Sequence, residues 1–204
     1  MVPIRTRRLD LSVPAAKRFP TALFVHGGSL TSGDKADSTR VRPFPDANIA
    51  CANVNYRLAP AHAWPAHAED VAAAVGLGAN EYRTARWRSA QVVPRWAQFG
   101  SDLVALVSTD ERYLARHGLK ISALRGVVPM GSIMWDDDLE QAPPVLKTHR
   151  KFVEDARALA NWADYKVLPG RTHYSAIRQI SEPGDLVFAI VRDFVRQFSG
   201  AGTP

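Results

Sequence analysis

The segment Ala22-Leu-Phe-Val-His26-Gly27-Gly28-Ser29-Leu30-Thr31-Ser32-Gly33-Asp34 joins an apolar run to a glycine-rich turn. The run from Ala22 to Val25 is apolar and rich in strand-forming residues, and it stops at a pair of glycines. That pattern predicts a short, fully buried strand. After it the side chains almost vanish. Adjacent glycines let the backbone take positive φ and bring its N–H groups close to a ligand. A strand feeding such a turn is one way to build an oxyanion hole, with Gly27, Gly28 and Ser29 as the candidate donors. The same letters also fit a plain tight turn.

Outward from this stretch, the next informative segment is Asn53-Val-Asn-Tyr56-Arg57-Leu58-Ala59-Pro60, followed by Trp64-Pro65-Ala66-His67-Ala68-Glu69-Asp70-Val71. With the H-G-G turn, these residues resemble the esterase/lipase branch of the α/β-hydrolases. That branch includes hormone-sensitive-lipase-like, feruloyl-esterase-like and aryl-formamidase-like enzymes. In them a strand ends in a Y-R-L-A-P turn, and a helix carrying P-x-x-x-x-D-V follows. The resemblance is clear over 21–75, 101–130 and 167–198. It implies an α/β-hydrolase-like fold: one domain over 1–204, a mostly parallel sheet with helices on both faces, truncated and partly degenerate.

Composition agrees with that class. The 204 residues suffice for one domain with a real core. A hydrophobic content of 46% with 23% charged residues is that of a globular protein. No apolar run reaches the ~18 residues that a membrane helix needs. Met1 to Arg8 is basic but lacks the apolar centre of a signal peptide, so a cytoplasmic location is expected. The single Cys51 lies in an apolar stretch and reads as a small core residue. The net charge of +6 comes from scattered arginines, clustered only at Arg83, Arg86, Arg88 and Arg95. No nucleic-acid-binding motif accompanies them, so a solvated basic surface is expected and no nucleic-acid partner.

Along the chain, Leu9, Leu11 and Val13 alternate with polar neighbours, as in an edge strand over Arg5–Val13. Asp37 to Pro45 is a poor helix, broken by Pro43 and Pro45. Ile49–Asn55 reads as a second buried strand. Ala66–Val75 reads as a helix with Val71 and Val75 on one face and Glu69 and Asp70 near its positive end. Ser101–Thr109 is a short helix. Strands are expected at Arg125–Met130, Pro144–Thr148 and Tyr165–Leu168, and a helix at Phe152–Ala163. The closing helix, Asp185–Phe198, has Leu186, Ile190, Phe194, Val195 and Phe198 as its apolar face. Alternating strands and helices predict a parallel sheet covered on both sides.

His173, in Leu168-Pro-Gly170-Arg171-Thr172-His173, follows a strand and a Pro-Gly turn, where α/β sheets place reactive groups. In the similar esterases this segment carries the general base, which takes a proton from a serine and returns it to the leaving alcohol. His26 has another part: its analogue shapes the oxyanion loop. His62, His67, His117 and His149 lack ligand spacing and read as solvated or locally hydrogen-bonded. Three adjacent carboxylates, Asp136 to Asp138, read as a solvated loop. No metal and no cofactor is expected.

The pattern breaks at the nucleophile. The family sets a G-x-S-x-G elbow between a strand and the next helix. Counting back without gaps from the helix at Leu103 puts Gly100 on the last glycine, Gln98 on the serine and Trp96 on the first glycine. Gln98 cannot attack a carbonyl. Ser101 lies three residues on, without that frame, and is the weak replacement candidate; it also suits a helix N-terminus. The acid is equally incomplete. Lys151 falls near the position expected for it, and Asp155, the weak candidate, also suits a helix start.

The genetic code offers an explanation for Glu81–Phe99. Tryptophan has one codon, TGG, and a one-base shift through Trp87 and Trp96 gives glycine whatever base follows. Synonymous codons for Arg86–Ser89 then spell G-G-D-P, and those ending at Gln98 spell F-L-V-G-H-S. A compensated frameshift would convert the expected turn, strand and elbow into the residues seen. Two functions follow as expectations: a carboxylesterase-type serine hydrolase on small ester or amide substrates, impaired at Gln98, or a non-catalytic remnant or binding protein on the same fold. An aryl-formamide hydrolase is a near variant of the first.

Overall fold

The computed structural model describes residues 9–16, 19–36, 43–81, 98–99, 101–124, 126–128, 157, 168, 170–171, 175, 180 and 182–197. At its centre is strand β2 (Thr21–Val25), every residue of which is buried. A strand covered on both faces has no use for alternation, which is why its sequence is a continuous apolar run. Strand β3 (Ala50–Val54) is buried throughout as well and pairs parallel to β2, with Leu23 opposite Ala52 and Val25 opposite Val54. On the other side of β2 lies β4 (Gln98–Phe99), also parallel, with Leu23 opposite Gln98 and Phe24 opposite Phe99. The edge strand β1 (Leu9–Ser12) runs antiparallel to β3, giving the order β1-β3-β2-β4.

The period-two geometry of β2 divides the core. Leu23 and Val25 face one side with Ala52 and Val54; Ala22 and Phe24 face the other with Cys51. On the first side pack helices α2 (Ala66–Glu81), α3 (Ser101–Thr109) and α4 (Glu111–Ala115), through Val71, Val75, Val104, Val107 and Leu114. On the second lie α1 (Pro43–Asp46) and α5 (Leu186–Gln197). Phe44 links them, with ring centroids 5.4 Å from Phe24 and 4.9 Å from Phe188. Burial pushes the Cys51 thiol up from its usual pKa, consistent with a core residue.

Several expectations are corrected. Helix α2 runs on to Glu81 past Gly76, where a Cβ would meet the His117 Cβ at 2.8 Å. Close approach of α2 to the turn after α4 therefore requires the glycine there. Helix α5 buries Val187, Phe188, Val191 and Val195, while Leu186 is half exposed. The buried stripe is thus turned by about one residue from the expected one, because packing against Phe24 and Phe44 selects it; Asp185 caps the helix start, its Oδ1 accepting from the Val187 N–H at 2.7 Å. Residues 126–128 form no strand, although Val127 and Val128 pack into opposite sides of the core. The expected strands at Pro144–Thr148 and, apart from Leu168, at Tyr165–Leu168 lie outside the described residues, as does the helix at Phe152–Ala163 apart from Arg157. Among the described residues no helix is long and apolar enough to cross a membrane.

Candidate active site

Parallel pairing puts the carboxyl ends of β2, β3 and β4 on one edge, and the chain after β2 goes to β3 on one side before returning to β4 on the other. Such a switch point is where open α/β sheets bind ligands. The loop 26–36 stands there. Gly28 has φ +113°, followed by Ser29 at 51° and Leu30 at 65°. Two successive non-glycine residues in the left-handed region store strain, about 1–3 kcal/mol each, which surrounding structure must hold. The Gly28 carbonyl accepts from the N–H groups of Thr31 and Ser32, both at 3.0 Å, and the Leu30 carbonyl accepts from the Ala59 N–H at 2.8 Å. Leu30 and Leu58 also pack on the core. The loop after β2 and the turn after β3 are thereby one body.

Among the described residues nothing accepts a hydrogen bond from the N–H groups of Gly28 or Ser29. Beside Gly27 a Cβ would meet nothing within 4 Å, so the loop faces open space there. Of the two glycines, only Gly28 takes the positive φ expected of the pair. A Cβ on Gly28 would lie 2.2 Å from the Ser32 carbonyl oxygen. Gly28→Ala should therefore break the turn and cost on the order of 2 kcal/mol, from backbone strain and the clash with a carbonyl that cannot move alone. Thermal melts check this; a variant as stable as the parent would show that the turn is not built as described. Gly33 is the further glycine of the loop that the sequence did not single out. With φ +101°, it packs where a Cβ would stand 2.4 Å from His26 Nδ1 and 2.5 Å from the Gly27 carbonyl oxygen.

His26 closes onto the start of the loop. Its Nδ1 lies 2.8 Å from the Gly27 carbonyl oxygen, and its ring stacks on Tyr56 with centroids 4.3 Å apart. Farther along the loop, the Ala36 N–H and the Asn55 amide both donate to Asp34, at 2.7 and 2.9 Å, and hold its carboxyl below the usual range. Lys35 reaches back to Asp10 on β1.

Sequence reasoning missed three supports of this edge. Tyr56 is buried and its hydroxyl donates to the His26 carbonyl oxygen at 3.1 Å. The sequence did carry a signal: Tyr56 stands two residues past β3 as Gly27 stands two past β2. Asp70, expected only to complement the helix dipole, accepts from Arg57 Nε at 2.8 Å, Arg57 Nη2 at 2.9 Å and the Arg57 N–H at 3.0 Å. These bonds raise the guanidinium pKa. His67, expected to be solvated or hydrogen-bonded, is instead buried beside Tyr56 and Trp64, and among the described residues neither ring nitrogen has a hydrogen-bond partner.

Burial pushes the Tyr56 hydroxyl from the ordinary phenol value of 10.0 up to about 12. The folded chain keeps this proton where the unfolded chain has lost it. Tyr56 therefore contributes its full stability below pH 10 and loses it between about pH 10 and 12, at up to about 1.4 kcal/mol per pH unit. Denaturant melts across that window should fall less steeply for Tyr56→Phe than for the parent. Equal slopes would mean that the phenol titrates normally.

At β4 the backbone places Gln98 within the ladder, and α3 begins at Ser101, two residues past the end of that strand. Ser101 thus stands just past the end of β4, on the same edge as His26. His173 and Asp155 lie outside the described residues. The loop carrying His173 is represented by Arg171, which pairs with Asp185 at the start of α5. Among the described residues no group of three His, Cys, Asp or Glu side chains could hold a metal.

Comparison with known proteins agrees with this architecture. Residues 9–87 match the BD-FAE family model. No curated protein matches the chain by sequence. Among solved structures, it is similar to a bacterial heroin esterase at 17% identity, covering 94% of this chain and 79% of that one, with a TM-score of 0.67. It is also similar to a thermophilic carboxylesterase cloned from a metagenomic library, at 15% identity, 96% and 85% coverage, and a TM-score of 0.66. Esterase B from Lactobacillus rhamnosis matches at 15% identity and a TM-score of 0.53; the match covers 79% of this chain and 56% of that one, little more than half its length. By the BD-FAE match, its sheet and these likenesses, the chain is a protein of the α/β-hydrolase fold.

Proposed function

We propose that the chain is a carboxylesterase-type serine hydrolase for small esters, impaired because Gln98 takes the nucleophile's place. The observation that carries this reading is the strained loop after β2, whose Gly28 and Ser29 amides point to no acceptor among the described residues. In the intact reaction a serine hydroxyl attacks the ester carbonyl and His173 takes its proton. The tetrahedral oxyanion rests on the amides of Gly27, Gly28 and Ser29. His173 then protonates the departing alcohol, and water, activated the same way, frees the acyl-enzyme. A carboxylate near Asp155 or Lys151 would orient the imidazole. An aryl-formamide substrate fits the same chemistry, and a cytoplasmic site of action belongs to the same proposal.

A second reading, a binding or remnant protein on this fold, is favoured by one observation: Gln98 is held inside the β4 ladder, so no hydroxyl is supplied at that position. Nitrophenyl-ester hydrolysis measured together with labelling by a fluorophosphonate tests the two. Residual turnover without labelling supports the impaired hydrolase, turnover with labelling at a serine an intact one, and the absence of both the binding or remnant form.

A further inference from the structure

We propose that Tyr56 is a positioning residue for the anion-binding loop, aiming the Gly27 amide by holding the carbonyl of the His26–Gly27 peptide. The inference rests on the reading that this loop takes an oxyanion.

A trans peptide is planar, with its C=O and N–H pointing in opposite directions, so anchoring a carbonyl fixes the N–H across the same bond. Three successive peptides in the loop are anchored in this way. The Gly28 carbonyl is held by the Thr31 and Ser32 amides and by the Ser32 hydroxyl at 3.1 Å, which fixes the Ser29 N–H. The Gly27 carbonyl is held by His26 Nδ1, which must carry the proton because a carbonyl only accepts; this fixes the Gly28 N–H. The His26 carbonyl is held by the Tyr56 hydroxyl, which fixes the Gly27 N–H. The first two anchors come from within the loop. The third comes from beyond β3, thirty residues along the chain.

Tyr56 itself has little freedom. Its ring is stacked on His26, with 14° between the planes, and His67 meets it edge-on at 6.1 Å. His67 is in turn stacked against Trp64 at 6.3 Å. The column Trp64–His67–Tyr56–His26 therefore sets the position of the hydroxyl, and through it the direction of one amide. An amide aimed before the anion arrives needs no reorganisation when charge develops.

The test compares the full chain with Tyr56→Phe, which keeps the ring and deletes the donor. Sodium acetate at constant ionic strength is the anion probe, read at the amide resonances of Gly27, Gly28 and Ser29. The parent should show saturable shifts at these amides. Tyr56→Phe should move the Gly27 amide resonance before any acetate is added and weaken acetate binding about fivefold. Val107→Ala, a buried change in α3, should lower the melting temperature and leave both readouts unchanged. Saturable binding that Tyr56→Phe leaves intact, with an unmoved Gly27 resonance, would overturn the role of Tyr56 and leave the anion loop standing. A parent with no saturable shift would remove the anion loop and the proposal together. A measurement on the parent alone guards against a variant that does not fold: deuteration of the Tyr56 hydroxyl should produce an isotope shift at the His26 carbonyl carbon, and its absence would also overturn the proposal.

Discussion

Little or no ester hydrolysis, and no covalent labelling by a fluorophosphonate, is the expected result for this chain. The glycine loop after β2 is in place, but position 98 carries a glutamine inside the β4 ladder. Losing the nucleophile of a serine hydrolase lowers kcat by about 10⁶-fold and leaves only the residual rate from the oxyanion hole and binding. Gln98→Ser alone should restore no activity. A serine paired in the ladder opposite Leu23 is not on a turn, and Trp96 and Phe99 bring bulk where an elbow needs small residues. Restoring the alternative frame over Glu81–Phe99 should bring back strand, glycines and serine together, and raise the rate by several orders of magnitude once an acid is supplied near Lys151. The coding DNA across 76–102 is the direct check on the frame. Robust hydrolysis by the unmodified chain, abolished by Ser101→Ala, would make Ser101 the nucleophile and sink this account.

Asp70→Ala should cost on the order of 3 kcal/mol, toward the low end of the range for breaking a buried pair because Arg57 keeps 19% of its side-chain surface exposed. Asp70 itself is 2% exposed and accepts three hydrogen bonds from Arg57, one of them from its backbone. Removing the carboxylate takes the acceptor from the Arg57 main-chain N–H and from Nε, and leaves Nη2 only the Ala66 carbonyl at 3.3 Å and Glu69 at 3.5 Å. Glu69 replaces it only in part: it lies 3.5 Å from Arg57 and is already shared with Arg116. For a chain of this size the melting temperature should drop by roughly 10 °C. Replacing both partners, Arg57→Met with Asp70→Leu, should cost less than Asp70→Ala alone, since no charge is then stranded. A single variant within about 0.5 kcal/mol of the parent would show that the pair is a surface contact of little consequence.

Elements whose pattern is local were legible in the amino-acid order alone. Ala22–Val25 is apolar at every residue because β2 is covered on both faces, and a glycine pair marks its end whatever surrounds it. Ser101–Thr109 and the closing helix were legible from their spacing, and the H-G-G and Y-R-L-A-P turns carried the fold by resemblance. Tertiary structure decided what depends on partners distant in sequence. Asp70 reads equally well as a dipole-complementing residue until Arg57 arrives thirteen positions away. His67 reads as solvated until Trp64 and Tyr56 close over it. Apolar residues ring much of α5, and only the sheet and Phe44 choose which of them are buried. Gln98 and Phe99 have no strand pattern around them, yet they pair, since an open edge of β2 accepts any backbone in register. The direction of the Gly27 amide lay furthest from the sequence: it is set by a hydroxyl from the far side of β3, through a peptide plane that no side-chain pattern encodes.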